Sequence, residues 1–343
     1  MTISARMAYR RAMNERRILD FRAGVPWSDQ ALDVLARTSR SAWGNPAHPS
    51  SEGRRAATWL EAAQATLRGL TGLPHVDFFA DRNAAVAAAV AHHPGARIAV
   101  AATHRKAVLR IAHVVAPVDA GGMPDWPECD LAIVQGANEE TGVSDRGPST
   151  GVRVLDATNS FGRVSGLLDA DHVIADASAW GAPGGIAMVL GRAPLEAYEI
   201  PPLPLVAVAV HRLAEHWQAR DLQEAAEREA MDAFEARVLA DIPDVQFHGV
   251  GRVAHIRSFS ILHLDAETLT RALDVEGFVV GSGSACVSDG TPSHVLAAMG
   301  RVTHGNVRLA LPVDLDLAVL DEFAGVLAHT VRRLRAEAGV ADL

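Results

Sequence analysis

The chain has 343 residues, 49% of them hydrophobic, with a formal net charge of −9 and a pI near 5.9. That acidic balance argues against nucleic acid as the main partner, and with no apolar run of about twenty residues the sequence predicts no membrane span. Residues 1–17 carry Arg6, Arg10, Arg11, Arg16 and Arg17 but no apolar core, so a secretory signal is not expected and the cytoplasm is the default location.

In chain order, short apolar runs alternate with helical patterns between residues 18 and 191, which predicts a mainly parallel sheet wrapped by helices. Strands are expected at 75–79, 97–101, 113–118, 131–135, 152–155, 172–175 and 186–190. A helix is expected over 51–70, with Glu52 near its start and Gly72 and Pro74 beyond its end. Residues 205–242 read as one long, charge-laced connecting helix. Beyond it the pattern is that of a small α+β unit: strands within 245–261, a helix at 266–273, a strand at 278–281, a helix at 292–299, a strand at 306–311 and a closing helix at 315–338. The expected organisation is therefore a lead at 1–17, a large α/β domain at 18–204, the connecting helix, and a small domain at 243–343.

Two cysteines, Cys129 and Cys286, are too few and too far apart for a disulfide framework or a zinc site. Cys129 leads into a strand and reads as a filler. Cys286 stands in a different setting, Ser282-Gly283-Ser284-Ala285-Cys286, followed by Pro292-Ser293-His294-Val295-Leu296-Ala297-Ala298-Met299-Gly300. Lys106 is the single lysine, so apart from the N-terminus it is the one amine available to an aldehyde cofactor.

The Cys286 segment resembles the catalytic-cysteine loop of the cysteine desulfurases, pyridoxal phosphate enzymes of the class V aminotransferase fold. Gly44-Asn45-Pro46 with Gly53-Arg54-Arg55-Ala56, Asp156-Ala157-Thr158-Asn159-Ser160-Phe161-Gly162 and Val307-Arg308-Leu309 extend the likeness over most of the chain. The resemblance implies a fold-type I pyridoxal-phosphate-dependent transferase architecture with a small C-terminal α+β domain. It also implies a catalytic Cys286 whose thiolate takes up sulfur as a persulfide. Asp156 takes the place of the aspartate facing the pyridine nitrogen, Asn159 that of a glutamine facing the phenolic oxygen, and Arg308, with Asn45, lies on the substrate side.

Other positions depart from the family pattern. In Asp176-Ala177-Ser178-Ala179-Trp180-Gly181-Ala182-Pro183-Gly184-Gly185, Asp176, Ser178 and Ala179 stand where the resemblance implies serine, histidine and the Schiff-base lysine. Asp81-Arg82-Asn83 replaces the phosphate-binding turn, Arg105 the stacking histidine, and Glu139 an asparagine. Two like charges about 4 Å apart cost roughly 4 kcal/mol at an effective dielectric of about 20, so carboxylates at 81 and 176 oppose a phosphate. Lys106 follows the ring position and is expected to point elsewhere. Asp156, Glu139 and Asp176 are instead expected to pair with Arg105 and Arg82 in a filled pocket.

The expectation drawn from these replacements is that pyridoxal phosphate has been lost and no cofactor is held. The leading functional reading is a pseudoenzyme of sulfur mobilisation that relays sulfur through Cys286 or supports an active desulfurase. It is expected to be a dimer, including a heterodimer with an active cysteine desulfurase, and to meet a sulfur-acceptor protein. An authentic desulfurase, converting L-cysteine to L-alanine and enzyme persulfide with residual activity, is the first alternative. A structural or regulatory subunit is the second.

Overall fold

The computed structural model describes residues 16–166, 168–195, 200–282 and 292–340. In chain order the strands are β1 (Arg17–Ile18), β2 (His75–Phe79), β3 (Ile98–Ala101), β4 (Val114–Ala116), β5 (Leu131–Gln135), β6 (Val152–Asp156), β7 (His172–Asp176), β8 (Ala187–Gly191), β9 (Val245–Phe247), β10 (Ile256–Ile261), β11 (Phe278–Val279) and β12 (Asn306–Ala310). The helices are α1 (Asp29–Ser41), α2 (Ser51–Thr71), α3 (Arg82–Ala91), α4 (Lys106–Leu109), α5 (Leu203–Trp217), α6 (Arg220–Asp241), α7 (Ala266–Val275), α8 (His294–Ala298) and α9 (Val319–Glu337).

Local chemistry sets several of these bounds. Ser28 and Ser50 cap α1 and α2 by accepting from the N–H groups of Ala31 and Gly53, both at 3.1 Å. Helix α2 ends where Gly72 turns left-handed, at φ 73°, and returns its N–H to the Arg68 carbonyl. The central strands β5 and β8 are buried along their whole length, the pattern expected of a sheet covered on both faces.

Seven strands form the main sheet in the order β2-β8-β7-β6-β5-β3-β4. The run β4-β3-β5-β6-β7 is parallel, while β8 lies antiparallel to both β7 and β2. The parallel strands therefore all point their C-terminal ends, including Asp156 and Asp176, toward one edge of the sheet. One large core under this sheet gathers Phe161, Trp180, Leu213 and Ala179. A second core, with Phe234 stacked on Phe323 at 5.6 Å, sits under the three-stranded sheet β12-β10-β9.

Two element-level differences from the sequence reading have physical causes. The segment expected as one connecting helix is two, α5 and α6, separated at Gln218 and Ala219. The buried Trp217 side chain is covered by Arg220, whose guanidinium lies 4.3 Å from the ring centre and donates to the Trp217 carbonyl at the break. Residues 18–20, expected to open the large unit, lie beside strands of the C-terminal part: β1 runs parallel to β11, and Asp20 bridges to Ala310. No helix among the described residues is long and apolar enough to cross a membrane.

Candidate functional site

The strand ends β6 and β7, the start of α3, the turn before α4 and the N-terminal stretch 20–22 bring a set of charged side chains together. Asp156 closes β6 and is 4% exposed. One of its oxygens accepts from Arg105 Nε and Nη2 at 3.2 and 3.1 Å, and the other from the Thr158 hydroxyl at 2.6 Å. Burial alone would raise its pKa; Arg105 above all, then His104 and the Thr158 bonds, outweigh it and bring the carboxyl down to about 2. Arg105 also donates to the Asn83 side-chain carbonyl, which ties the α4 turn to α3.

His104, beside this pair, is 1% exposed. Its Nδ1 accepts the Arg105 backbone N–H at 2.9 Å, which leaves the proton on Nε2, 3.6 Å from Asp156. Burial dominates and lowers its pKa to about 4, so the imidazole is neutral at pH 7.

Glu139 forms a second centre. It meets Arg82 at 3.2 Å and Arg22 at 3.5 Å, and Arg308 donates to its carbonyl oxygen. Burial pushes its pKa up, but the three arginines win and the carboxyl is held below its ordinary range. Arg22 also donates to the Asn159 side-chain carbonyl at 3.1 Å, and Asn159 donates in turn to the Ala137 carbonyl. Arg308, placed on the substrate side by the sequence, pairs with Asp20 at 2.6 Å.

Position 179 lies in the turn that follows β7. Asp176 caps that turn by accepting from the N–H of Ser178 at 3.0 Å and from its hydroxyl at 2.6 Å. This corrects the expected pairing of Asp176 with an arginine: a serine two residues on reaches the carboxylate first, as in an Asx turn. The Ala179 methyl is 1% exposed and belongs to the large core beside Trp180. At the start of α3, Asp81 accepts the N–H groups of Asn83 and Ala84 at 2.6 and 3.0 Å, so these free donors of the helix already meet a carboxylate.

Of the residues singled out in the sequence, Asp156, Arg105, Asn83, Glu139, Asn159 and Arg308 are joined by these bonds. Asn45 is not: it is exposed, and its side chain accepts the Ala47 N–H within its own turn. Lys106 is exposed at the start of α4. Cys286 lies outside the described residues. The two sides of its segment are fixed: Gly281 bridges to Arg308, and Ser293 donates to Glu140 at 2.7 Å. A Cβ at Gly281 would lie 2.7 Å from Arg308 Nη2 and would also strike the Asp20 carboxylate. Asp20, Arg22, His104 and Glu140 went unnoticed in the sequence, where only their place beside matched positions marks them.

Over 113 residues, 31% of this chain, the sequence is 33% identical to the cysteine desulfurase IscS of Dictyoglomus turgidum, 29% of which is covered. Over 89 residues, 25% of this chain, it is 37% identical to the cysteine desulfurase of Bradyrhizobium diazoefficiens, 23% of which is covered. Over these stretches the chain is similar to cysteine desulfurases. It spans less than a third of the length of the curated relatives it matches.

The fold agrees with that likeness. A NifS-like protein from Rickettsia africae superposes with a TM-score of 0.79 at 16% identity, over 92% of this chain and 99% of that one. A cysteine desulfurase from Thermococcus onnurineus does so with 0.78 at 14% identity, over 93% and 95%. No family model matches the chain. The α/β architecture expected from the resemblance is thus the architecture found.

The expectation that the chain holds no cofactor is corrected by the same findings. The curated proteins it resembles are cysteine desulfurases, which normally use pyridoxal phosphate, and the replacements do not establish a loss. As placed, the side chains do not fit that group in the family's manner. Ala179 offers no amine, Arg105 occupies the Asp156 carboxylate, and Asp81 occupies the first donors of α3.

Proposed function

We propose that this cysteine desulfurase-like chain works in sulfur mobilisation, with Cys286 receiving sulfur as a persulfide from an active cysteine desulfurase and passing it on to an acceptor protein. The supporting observation is a contrast between two segments. The Ala179 methyl lies in the core at the position where the resemblance implies the Schiff-base lysine, while the Cys286 segment retains the resembling sequence and is flanked by Gly281, bridged to Arg308, and Ser293, bonded to Glu140.

The transfer balances without an external oxidant. The Cys286 thiolate attacks the outer sulfur of the donor's persulfide, the donor's S–S bond breaks, and the electron pair leaves with the donor as its thiolate. The new S–S bond is on Cys286. A heterodimer with the donor brings the two sulfurs within reach, and a thiolate rather than a thiol is the form that must be presented.

The test is to incubate the protein with an active cysteine desulfurase and isotopically labelled cysteine, then follow the label. Label should appear on the wild-type chain and not on Cys286→Ser. Label on neither, with the desulfurase itself charged, removes the relay. Alanine released by this chain alone, with no second enzyme, favours the alternative of an authentic desulfurase.

A further inference from the structure

Two adjacent residues, Glu139 and Glu140, meet the anchors on both sides of the Cys286 segment. On the near side, Gly281 and Arg308 exchange backbone bonds at 2.7 and 2.9 Å, and Arg308 Nη1 donates to the Glu139 carbonyl oxygen at 3.3 Å. On the far side, the Ser293 hydroxyl donates to the Glu140 carboxyl at 2.7 Å and accepts the Leu296 N–H at 3.1 Å, which caps α8. His294 adds a second tie there, its Nε2 donating to the His104 carbonyl at 2.9 Å.

The Glu139-Glu140 stretch is itself held. The Asn138 side chain accepts the N–H groups of Glu140 and Thr141 at 3.0 and 2.9 Å and donates to the Thr103 carbonyl at 2.8 Å, tying the stretch to the turn that follows β3. The Glu140 side chain is 4% exposed. Among the described residues Ser293 is its one hydrogen-bond partner, since its other oxygen is buried with none. A buried acid with one oxygen unpaired is costly, and the packing directs the remaining oxygen to Ser293 alone.

We propose that Glu140 is a positioning residue for sulfur transfer: through Ser293 it fixes the point from which the Cys286 segment returns to the body of the protein, while the neighbouring Glu139 carbonyl, through Arg308, fixes the point from which it leaves. The role in transfer rests on the relay reading given above; the anchoring itself does not. A protein donor must meet the thiolate in line and at contact distance, so a displaced segment end slows transfer steeply. A small reagent has no such requirement and reaches a loosened thiol faster.

In the full chain Cys286 is followed in two ways: charging by an active cysteine desulfurase with labelled cysteine, and alkylation by iodoacetamide with Cys129 as the internal control. Glu140→Ala is expected to slow charging at least about tenfold and to speed alkylation of Cys286 at least about threefold, with Cys129 unchanged. Glu140→Gln, which keeps an acceptor for Ser293, should return both rates toward those of the parent. Ser293→Ala removes the same bond from the other side and carries the test if Glu140→Ala does not fold. Rates that move in opposite directions separate positioning from a general loss of structure. Unchanged alkylation of Cys286 in the alanine variants, or a Glu140→Gln protein that behaves as Glu140→Ala does, overturns the proposal. A wild-type chain that takes no label beside a charged donor defeats the relay reading instead, and the alkylation rates then decide the anchor on their own.

Discussion

Arg105 and Asp156 face each other in near-complete burial, with Nε and Nη2 of the guanidinium donating to a single carboxylate oxygen at 3.2 and 3.1 Å. The pair closes the end of β6 and, through Asn83, holds the start of α3. Removing one member leaves a buried charge unmatched. Arg105→Ala is therefore expected to lower unfolding stability by about 3–5 kcal/mol, while the double change Arg105→Met with Asp156→Leu restores most of it. Urea unfolding of both variants measures this, and a single variant within about 1 kcal/mol of the parent contradicts it.

Glu140 gives a prediction on the alkaline side. Burial, outweighing the Ser293 bond and Arg308, raises its carboxyl from 4.5 to about 7. The folded state therefore binds the extra proton, and the stability this contributes is full below about 4.5 and lost as pH rises through about 7, a total on the order of 3 kcal/mol. Glu140→Gln keeps an acceptor for Ser293 and avoids the ionisation. It should be more stable than the parent at pH 8 by about 1–3 kcal/mol and equal to it near pH 4.5. Equal stability at both pH values would mean that Glu140 is not held protonated.

On the acid side four buried histidines act in the opposite sense. Burial lowers His104, His172 and His248 to about 4 and His255 well below its ordinary value. Their folded-state pKa values lie below the unfolded one, so the stability they contribute is present above about 6.5 and falls as pH drops toward 4. In Glu140→Gln, which no longer offsets them, unfolding between pH 6.5 and 4 should take up about one more proton than it does in the parent. The slope of stability against pH reads that number directly.

Gly281 is the fixed point before the Cys286 segment. Its bridge to Arg308 leaves no room for a methyl group between Arg308 and Asp20. Gly281→Ala is expected to separate that ion pair and destabilise the chain by about 1–3 kcal/mol. It should also change the alkylation rate of Cys286 more than that of Cys129, whose thiol burial pushes up and keeps protonated. Unchanged stability and unchanged alkylation together contradict this account of the anchor.

Much of the large sheet was legible, because β2, β3, β5, β6, β7 and β8 are apolar runs bounded by turns and helices. Their order and the antiparallel placement of β8 were not, since both depend on long-range pairing that no local pattern encodes. The same holds for the site. Arg105, Asp156 and Glu139 were visible through their matched positions, and the pairing of Arg82 with Glu139 followed from charge alone. Asp20 and Arg22 were not, because they enter the cluster only after β1 has paired with a strand some 260 positions away. Asp176 misled because it caps its own turn, and the local Ser178 outcompetes a distant arginine.

The most direct test of the central claim is mass spectrometry of the Cys286 peptide after the protein has been incubated with an active cysteine desulfurase and cysteine. One additional sulfur atom on Cys286, absent from Cys129 and reversed by reductant, is the predicted result. An unmodified Cys286 beside a fully charged donor contradicts the claim.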